Sequence, residues 1–284
     1  MNSIITLENS HLRVQVASCG AELQSMVSKS TGKENLWHGD DRIWGDRAPW
    51  LFPIIGQLRG GTFAYKGEKY AMPMHGFASH ANFEVEACSG TEATFVLRAS
   101  EETLKVYPWR FELKIIYTLC DAQLDIRCSV RCEDQEEMYF SFGAHPGFVC
   151  SPGDKLIFEG AKELACCRLD LGTHLLKPES VAVDETIALQ EALFEEDAML
   201  LRAPECESAT LMRKDGTGVR FKFGRVSWVG VWTRAHGGLP YICVEPWFGV
   251  DDPVDADGDI EKKLDIVRLP AGEVFTMNLN IKPF

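Results

Sequence analysis

Apolar residues recur at every second position along much of this chain, and this period constrains the fold more than any other feature. Leu12-Arg-Val14-Gln-Val16, Val219-Arg-Phe221-Lys-Phe223 and Phe275-Thr-Met277-Asn-Leu279-Asn-Ile281 all alternate. Successive side chains of a β-strand point to opposite faces of the sheet, so each segment is predicted to be a strand with one buried face. Further strands are predicted at 94–98 and 111–117, with turn signals such as Asp215-Gly216 between strands.

Many antiparallel strands with little helix must bury their apolar faces against each other. This predicts an all-β fold, a large antiparallel β-sandwich. Segments with the strand pattern occur along the whole chain, and no internal repeat or flexible linker separates them. Residues 1–284 are therefore predicted to form a single domain. One short helix is predicted at 187–201, from the apolar residues Leu189, Leu193, Met199 and Leu200.

The charge balance restricts the partners that this protein can take. The 284 residues include 29 Lys and Arg against 42 Asp and Glu, a formal net charge of −13. Phosphates are repelled by such a surface, so neither nucleic acid nor an anionic membrane is expected as a partner. No apolar run approaches the roughly 20 residues that span a bilayer, and the N-terminal segment does not resemble a signal peptide. We therefore expect a cytoplasmic protein, either a monomer or a homodimer.

Ten cysteines are scattered along the chain without any Cys-x-x-Cys motif. Cys128 and Cys132 come nearest to the spacing of a metal pair. They lie in Leu124-Asp-Ile-Arg-Cys128-Ser-Val-Arg-Cys132, where the alternation places both thiols on the apolar face of a strand. Buried free thiols are the predicted state, and a structural zinc site is the alternative.

Three short motifs place one titratable residue each among apolar residues, glycine and proline. They are Pro73-Met-His75-Gly-Phe-Ala78, Gly143-Ala-His145-Pro-Gly-Phe148 and Val244-Glu245-Pro-Trp-Phe-Gly249. A residue before proline is held in extended backbone, which fixes the direction of its side chain. A histidine–carboxylate set serves acid–base catalysis or binds a metal, and each residue alone also suits an ordinary turn or strand end. The other five histidines, including His174 and His236, lack such surroundings, and no role is predicted for them.

These motifs, with Ala48-Pro-Trp-Leu-Phe-Pro-Ile-Ile-Gly56-Gln57-Leu58 before them, resemble the aldose 1-epimerase (galactose mutarotase-like) family, and its LacX-type branch most of all. The resemblance implies a β-sandwich of the galactose mutarotase-like supersandwich type, with a small-molecule sugar bound in a cleft on one sheet. It implies that His145 is the general acid, Glu245 the general base and His75 a second catalytic histidine. Asp197 is the implied contact for sugar hydroxyls. The implied reaction requires neither a metal nor an organic cofactor.

Other residues are expected to determine which sugar the protein prefers as its substrate. LacX-type sequences often carry arginine where this chain has Gln57 and Ser79. Gln57 still suits sugar hydroxyls, and Trp247 suits the apolar face of a pyranose. With both motif positions neutral, unphosphorylated aldohexoses are the predicted substrates. A hexose 6-phosphate 1-epimerase is the alternative if Arg47 or Arg59 reaches the cleft. Carboxylates in the cleft are expected to raise the pKa of His145.

Two functions from other classes remain open. The changed arginine positions also suit a non-catalytic sugar-binding or regulatory module. A glycoside hydrolase or lyase requires two carboxylates or a Tyr/His pair, and the sequence offers one well-placed carboxylate. The run Asp251-Asp-Pro-Val-Asp-Ala-Asp-Gly-Asp259 resembles an EF-hand calcium loop only in part, because Pro253 and Leu264 occupy its first and twelfth positions. An acidic surface loop is predicted there.

Overall fold

Strands make up nearly all of the regular structure. The computed structural model describes residues 3–161, 164–202 and 205–284. In chain order the strands are β1 (Ile4–Glu8), β2 (Leu12–Ala17), β3 (Leu23–Ser28), β4 (Trp50–Leu51), β5 (Thr62–Tyr65), β6 (Glu68–Ala71), β7 (Glu84–Cys88), β8 (Glu92–Arg98), β9 (Phe111–Cys120), β10 (Gln123–Cys132), β11 (Met138–Phe140), β12 (Phe142–Ala144), β13 (Gly147–Val149), β14 (Lys155–Ile157), β15 (Leu164–Leu169), β16 (Leu176–Val183), β17 (Thr186–Ala188), β18 (Met199–Arg202), β19 (Ser208–Met212), β20 (Gly218–Lys222), β21 (Trp228–Trp232), β22 (Tyr241–Phe248), β23 (Val267–Leu269) and β24 (Val274–Pro283). The α-helix is α1 (Glu101–Val106), and 3₁₀ turns lie at Arg59–Gly61, Ala78–His80, Glu191–Phe194 and Ile260–Lys262. No helix of the described residues is long and apolar enough to cross a membrane.

Two large antiparallel sheets dominate the fold. One contains nine strands in the order β17-β14-β19-β20-β24-β10-β9-β8-β7. The other contains β16-β15-β18-β21-β22-β12-β4, and β13 also pairs with β22. A three-stranded sheet, β1-β2-β3, and two small pairs, β11-β23 and β5-β6, complete the architecture. The predicted all-β fold with large antiparallel sheets is confirmed.

The alternation read from the sequence matches the burial of the strands. Along β9 and β10 buried residues alternate with more exposed ones, and Cys128 and Cys132 lie on the buried face. Both thiols belong to the main core, which also receives Ile242 and Val244 from β22 of the other sheet. The opposite face of β22 carries Glu245 on the outer side of the eight-stranded sheet, as its alternation predicts.

The helix predicted at 187–201 is wrong. Leu189 follows the end of β17 and Leu193 lies in a 3₁₀ turn, whereas Met199 and Leu200 lie in β18 and pair with β21. Glu195, Glu196 and Asp197 separate the two apolar groups, and Asp197 adopts a φ of +65°, which no α-helix contains. Sheet pairing on both sides of β18 therefore overrides an imperfect helical period.

A buried ion pair fastens the loop that follows β22. Lys263 Nζ lies 2.7 Å from Asp252 Oδ1 and donates to the Val250 carbonyl at 2.7 Å. The side chains of Lys263 and Asp252 are 2% and 4% exposed. The second oxygen of Asp252 accepts the Arg59 N–H at 2.9 Å, so the pair also holds the chain near Gln57.

Lys263→Met is expected to lower the free energy of unfolding by about 3–5 kcal/mol, because it leaves the Asp252 carboxylate buried without its cation. Adding Asp252→Asn should recover much of that loss. Lys262→Met is the matched control, since Lys262 pairs with Asp257 and Asp259 at the surface, and it should change stability by under about 1 kcal/mol. Urea unfolding measures all four proteins. Equal midpoints for the Lys263 and Lys262 variants would contradict a structural role for the buried pair.

Candidate active site

Strand pairing brings His145 opposite Glu245. β12 pairs Gly143 with Trp247, and β13 continues the same register by pairing position 147 with position 243. His145 and Glu245 lie midway between these two pairs. Each precedes a proline that has no N–H for the ladder, so the sheet is interrupted at this point. The two motif residues are therefore neighbours through register, although 100 positions separate them in sequence.

The two side chains are in contact at the floor of a cleft. His145 Nε2 lies 3.0 Å from Glu245 Oε2, and the side chains are only 10% and 2% exposed. In the part of the chain that the structure describes, His145 Nδ1 and Trp247 Nε1 have no hydrogen-bond partner, and the one polar contact of Glu245 Oε2 is that with His145. Buried polar groups are almost always hydrogen-bonded, so this concentration of unsatisfied atoms indicates a site for a polar ligand.

Glycines create the floor of the cleft. A Cβ at Gly143 would lie 2.5 Å from Trp247 Cδ1, and one at Gly230 would lie 2.9 Å from Trp247 Cζ2. Gly230 is also the partner of Glu245 across β21 and β22. The indole of Trp247 therefore lies flat across the sheet beside Glu245, where only glycine leaves room for it.

Burial moves both members of the pair towards their uncharged forms. It lowers the pKa of His145 well below the usual histidine value, with a further lowering from nearby His75. It raises the pKa of Glu245 well above the usual carboxyl value, with added repulsion from Asp251 and Asp197. The expectation that cleft carboxylates raise the pKa of His145 is wrong, because desolvation dominates. Both shifts favour a pair that holds a single proton near neutrality.

His75 presents a neutral ring at the same site. It adopts a φ of +64°, and its Nδ1 accepts the Gly56 N–H at 3.0 Å, so its proton is assigned to Nε2. Burial lowers the pKa of His75 to about 4. Its ring centroid lies 5.7 Å from that of His145. His75 is therefore a hydrogen-bond donor at pH 7, held by a backbone conformation that few non-glycine residues adopt.

Asp197 lines the cleft together with a histidine for which no role was predicted. Its Oδ2 lies 3.0 Å from His174 Nδ1, and its Oδ1 accepts the Ala198 N–H at 2.8 Å. His174 lies in the turn between β15 and β16, so its partner comes from a separate loop. The sequence around His174 contains no pattern that predicts its contact with Asp197.

The cleft encloses about 660 Å³, within the range of small-molecule sites. Trp44, Trp232 and Trp247 supply aromatic walls, and Trp44 approaches His145 with ring centroids 5.1 Å apart. Arg234 also lines the cleft and is exposed. Among the described residues no carboxylate forms an ion pair with Arg234 within 4.0 Å.

The structure does not bring Gln57 or Arg47 to the cleft. Gln57 lines a separate pocket with Arg59, and its side chain donates to the Leu58 carbonyl at 2.8 Å. Arg47 Nη1 donates to Gln24 at 2.7 Å, and Arg59 Nη1 to the Ala256 carbonyl at 2.8 Å. The substrate-binding roles expected for Gln57 and Arg47 therefore lack the geometry that His145, Glu245, His75, Asp197 and Trp247 have.

Asp251 is a cleft residue that the sequence prediction placed on the surface. It is 2% exposed, and neighbouring Asp252 is 3% exposed, so the start of the predicted acidic surface loop is buried. Only its later part, with Asp257 and Asp259 bound to Lys262, fits the prediction. Asp251 Oδ1 accepts the Gln57 N–H at 2.7 Å, yet burial raises the pKa of Asp251 to about 6.

Asp251→Asn is expected to make folding more stable at neutral pH. A carboxyl group whose pKa rises on folding contributes its full stabilisation at pH values below its pKa in the unfolded chain, about 3.9. That contribution is lost as the pH rises through the folded pKa, about 6. Relative to the variant, the natural protein should lose about 3 kcal/mol between pH 4 and pH 7.5. Asparagine keeps the acceptor for the Gln57 N–H. Urea unfolding of both proteins across this range is the measurement, and a pH-independent difference would contradict the raised pKa.

One side-chain cluster of the described residues has ligand types and spacing that suit a metal ion. It consists of His145, Cys243 and Glu245, whose ligand atoms all lie within 4.8 Å of one another. Cys128 and Cys132 do not belong to it. They are free and buried in the core, as are five further cysteines, whereas Cys88 and Cys120 are exposed and Cys19 is half-buried. The buried-thiol prediction for Cys128 and Cys132 is confirmed.

A cleft on one sheet of a β-sandwich, with a buried histidine–carboxylate contact and aromatic walls, has the features of a small-molecule site. The model of the family described as aldose 1-epimerase matches residues 3–251. The plasmid-encoded protein LacX of Lactococcus lactis subsp. lactis is 28% identical over 288 residues, which cover 93% of this chain and 94% of LacX.

Solved structures agree with the family match. A galactose mutarotase related enzyme from Lactobacillus acidophilus is 31% identical with a TM-score of 0.94, over 100% of this chain and 97% of that one. A galactose mutarotase-like protein from Lactobacillus casei is 27% identical with a TM-score of 0.93, over 99% of this chain and 100% of that one. The chain belongs to the aldose 1-epimerase family.

Proposed function

We propose that this protein is a mutarotase, which interconverts the α and β anomers of a free aldohexose by acid–base ring opening. The observation that carries the proposal is the contact of 3.0 Å between His145 Nε2 and Glu245 Oε2 at the floor of an open cleft. A buried pair that shares one proton suits a reaction in which one proton must leave the sugar as another arrives.

Ring opening requires two linked proton transfers. Glu245 removes the proton of the anomeric hydroxyl while His145 donates a proton to the ring oxygen, so the C1–O5 bond breaks and O1 becomes an aldehyde oxygen. Sugar hydroxyl groups that donate hydrogen bonds to Glu245 favour its deprotonated form. The proton that the pair holds then lies on His145. The C1–C2 bond then rotates, and closure on the other carbonyl face reverses both transfers. These steps require no metal or organic cofactor.

Other cleft residues orient the sugar. His75 Nε2–H donates to a ring or hydroxyl oxygen, because Nδ1 is already occupied by the Gly56 N–H. Asp197, held by His174, accepts from sugar hydroxyls. Trp247 covers the apolar face of the pyranose and supplies its unpartnered Nε1–H.

Polarimetry of freshly dissolved α-glucose or α-galactose tests the proposal. The protein should accelerate relaxation to the anomeric equilibrium in proportion to its concentration and with saturation in sugar. Saturable sugar binding without any rate above buffer would instead identify the non-catalytic sugar-binding module that the neutral residues Gln57 and Ser79 suggested.

A hydrolase gains some support from the cleft, where Asp197 and Asp251 accompany Glu245. The sequence offered one well-placed carboxylate, and the cleft lining adds these two. Asp197 is bound to His174 and Asp251 to the Gln57 N–H, whereas Glu245 is the carboxylate in contact with His145, which favours mutarotation. Release of reducing ends from a disaccharide would reverse this preference.

Free hexoses are expected to have a higher kcat/KM than hexose 6-phosphates. Arg47 and Arg59 lie outside the cleft lining, and Asp46, Asp197 and Asp251 oppose a phosphate dianion within it. Arg234 is the cleft cation that favours the second candidate, a hexose 6-phosphate 1-epimerase. Glucose and glucose 6-phosphate should be compared for the natural protein, Arg234→Ala and the control Arg59→Ala. An advantage for the phosphate that only Arg234→Ala abolishes would contradict this expectation.

A further inference from the structure

A third side chain, Cys243, lies next to the acid–base pair, although it does not itself line the cleft. It is fully buried, and its Sγ, a ring nitrogen of His145 and a carboxylate oxygen of Glu245 all lie within 4.8 Å of one another. No step of the sugar chemistry proposed above uses Cys243. Its position next to both reacting groups is therefore an observation that mutarotation does not explain.

The register of the sheet explains why the three side chains meet. Cys243 and Glu245 are two residues apart on β22, so both point to the cleft side of the sheet. His145 lies across from Glu245, and Gly147, the partner of Cys243, adds no side chain to this face. These positions lie on a strand that is paired on both sides, with β21 on one side and with β12 and β13 on the other.

The donor set suits a soft divalent cation. Imidazole nitrogen, thiolate sulfur and carboxylate oxygen are the ligands that zinc uses, at about 2.0–2.3 Å, and ligand atoms in a tetrahedral zinc site lie roughly 3–4 Å apart. The 3.0 Å between His145 Nε2 and Glu245 Oε2 is close to that spacing. Glu245 Oε2 is buried and has no polar contact other than His145 among the described residues, so a metal would supply the further contact that this oxygen lacks.

We propose that His145, Cys243 and Glu245 form a binding site for Zn²⁺ or Cd²⁺, which excludes sugar from the cleft. On binding, the Cys243 S–H bond breaks and the thiolate electron pair forms the sulfur–metal bond. The proton held by the His145–Glu245 pair is displaced as well, and both protons leave to solvent. No electron is transferred. Lone pairs of His145 and Glu245 complete three protein ligands and leave the fourth position to water. Metal binding does not depend on mutarotation, whereas inhibition of turnover does, since the metal occupies the acid and the base.

Cadmium titration followed by the ultraviolet thiolate-to-metal absorbance tests the site directly. The titration is best made in a background where the exposed Cys88 and Cys120 are serine, so that surface thiols add no signal. One equivalent of Cd²⁺ should give the band, and Cys243→Ser or Cys243→Ala should abolish it. Cys128→Ala is the matched control, because it removes another buried thiol, and it should leave the band unchanged. A band that survives both Cys243 substitutions overturns the proposal.

X-ray absorption of the zinc-loaded natural protein provides a measurement that does not depend on whether the variants fold. The expected first shell contains one sulfur and two or three nitrogen or oxygen atoms. A shell without sulfur, or with several sulfurs, overturns the proposal. Zn²⁺ should also raise the apparent KM for sugar without lowering kcat, with reversal by a chelator, whereas Mg²⁺ should have no effect because it prefers oxygen ligands. Zinc bound with the expected shell but without inhibition would support the metal site, but it would overturn the exclusion of sugar and refute the catalytic roles of the ligands.

Discussion

Glu245→Gln should lower kcat for anomer interconversion by about 10²–10⁴-fold, the usual contribution of a positioned acid or base. Glutamine has nearly the same volume and still accepts hydrogen bonds, so the buried site should keep its shape. It cannot take the proton of the anomeric hydroxyl at any accessible pH. Because no buried charge is left unpaired, sugar affinity should change by less than about tenfold. Polarimetry measures the rate, and a sugar-dependent change in tryptophan fluorescence measures binding.

Glu195→Gln is the control for Glu245→Gln. Glu195 also lines the cleft but is exposed, so its substitution removes a charge without touching the floor. It should retain a rate within about threefold of the natural protein, since exposed charges interact weakly through water. A Glu245→Gln protein that relaxes sugars at the natural rate would refute Glu245 as the base.

His145→Gln should lower kcat to a similar extent, and the double variant His145→Gln/Glu245→Gln should lose little more than either single variant. Contact at 3.0 Å makes the two residues a single proton-transfer unit, so removal of either member disables both halves of the reaction. His80→Gln, at an exposed histidine outside the cleft lining, should leave the rate unchanged. Thermal unfolding checks that each variant is folded.

Losses that multiply in the double variant would contradict this coupling. Independent contributions would mean that His145 and Glu245 act on separate steps or that one of them only positions the sugar. In that case the acid and base would have to be sought among the other cleft residues, beginning with His75 and Asp251, whose charges act on the pKa values of the pair.

Periodicity predicted several of the strands because alternation is a local property. β9 and β10 are antiparallel neighbours in which buried and more exposed residues alternate, so the pattern of each strand alone specifies its buried face. Residues 187–201 show the limit of this reasoning. Their apolar residues suit a helix in isolation, yet β18 is held by partners far away in sequence.

The sequence predicted the site residues that lie in recognisable motifs, but not the contacts that those residues make. His145 and Glu245 stand out because each precedes a proline, but their contact depends on strand register, which no local pattern records. His174, Arg234 and Asp251 come from turns and loops that meet only in the folded chain. The pKa of His145 was predicted in the wrong direction because the sequence shows which charges are present but does not show how deeply they are buried.

Exchange between anomers at equilibrium, measured by NMR magnetisation transfer alongside sugar binding, tests the central claim most directly. The natural protein should transfer magnetisation between the α and β anomeric signals of glucose or galactose at a rate that rises with its concentration. Glu245→Gln should bind the same sugar with similar affinity and transfer none above buffer. Binding by the natural protein without exchange, or exchange that persists undiminished in Glu245→Gln, would contradict acid–base ring opening by His145 and Glu245.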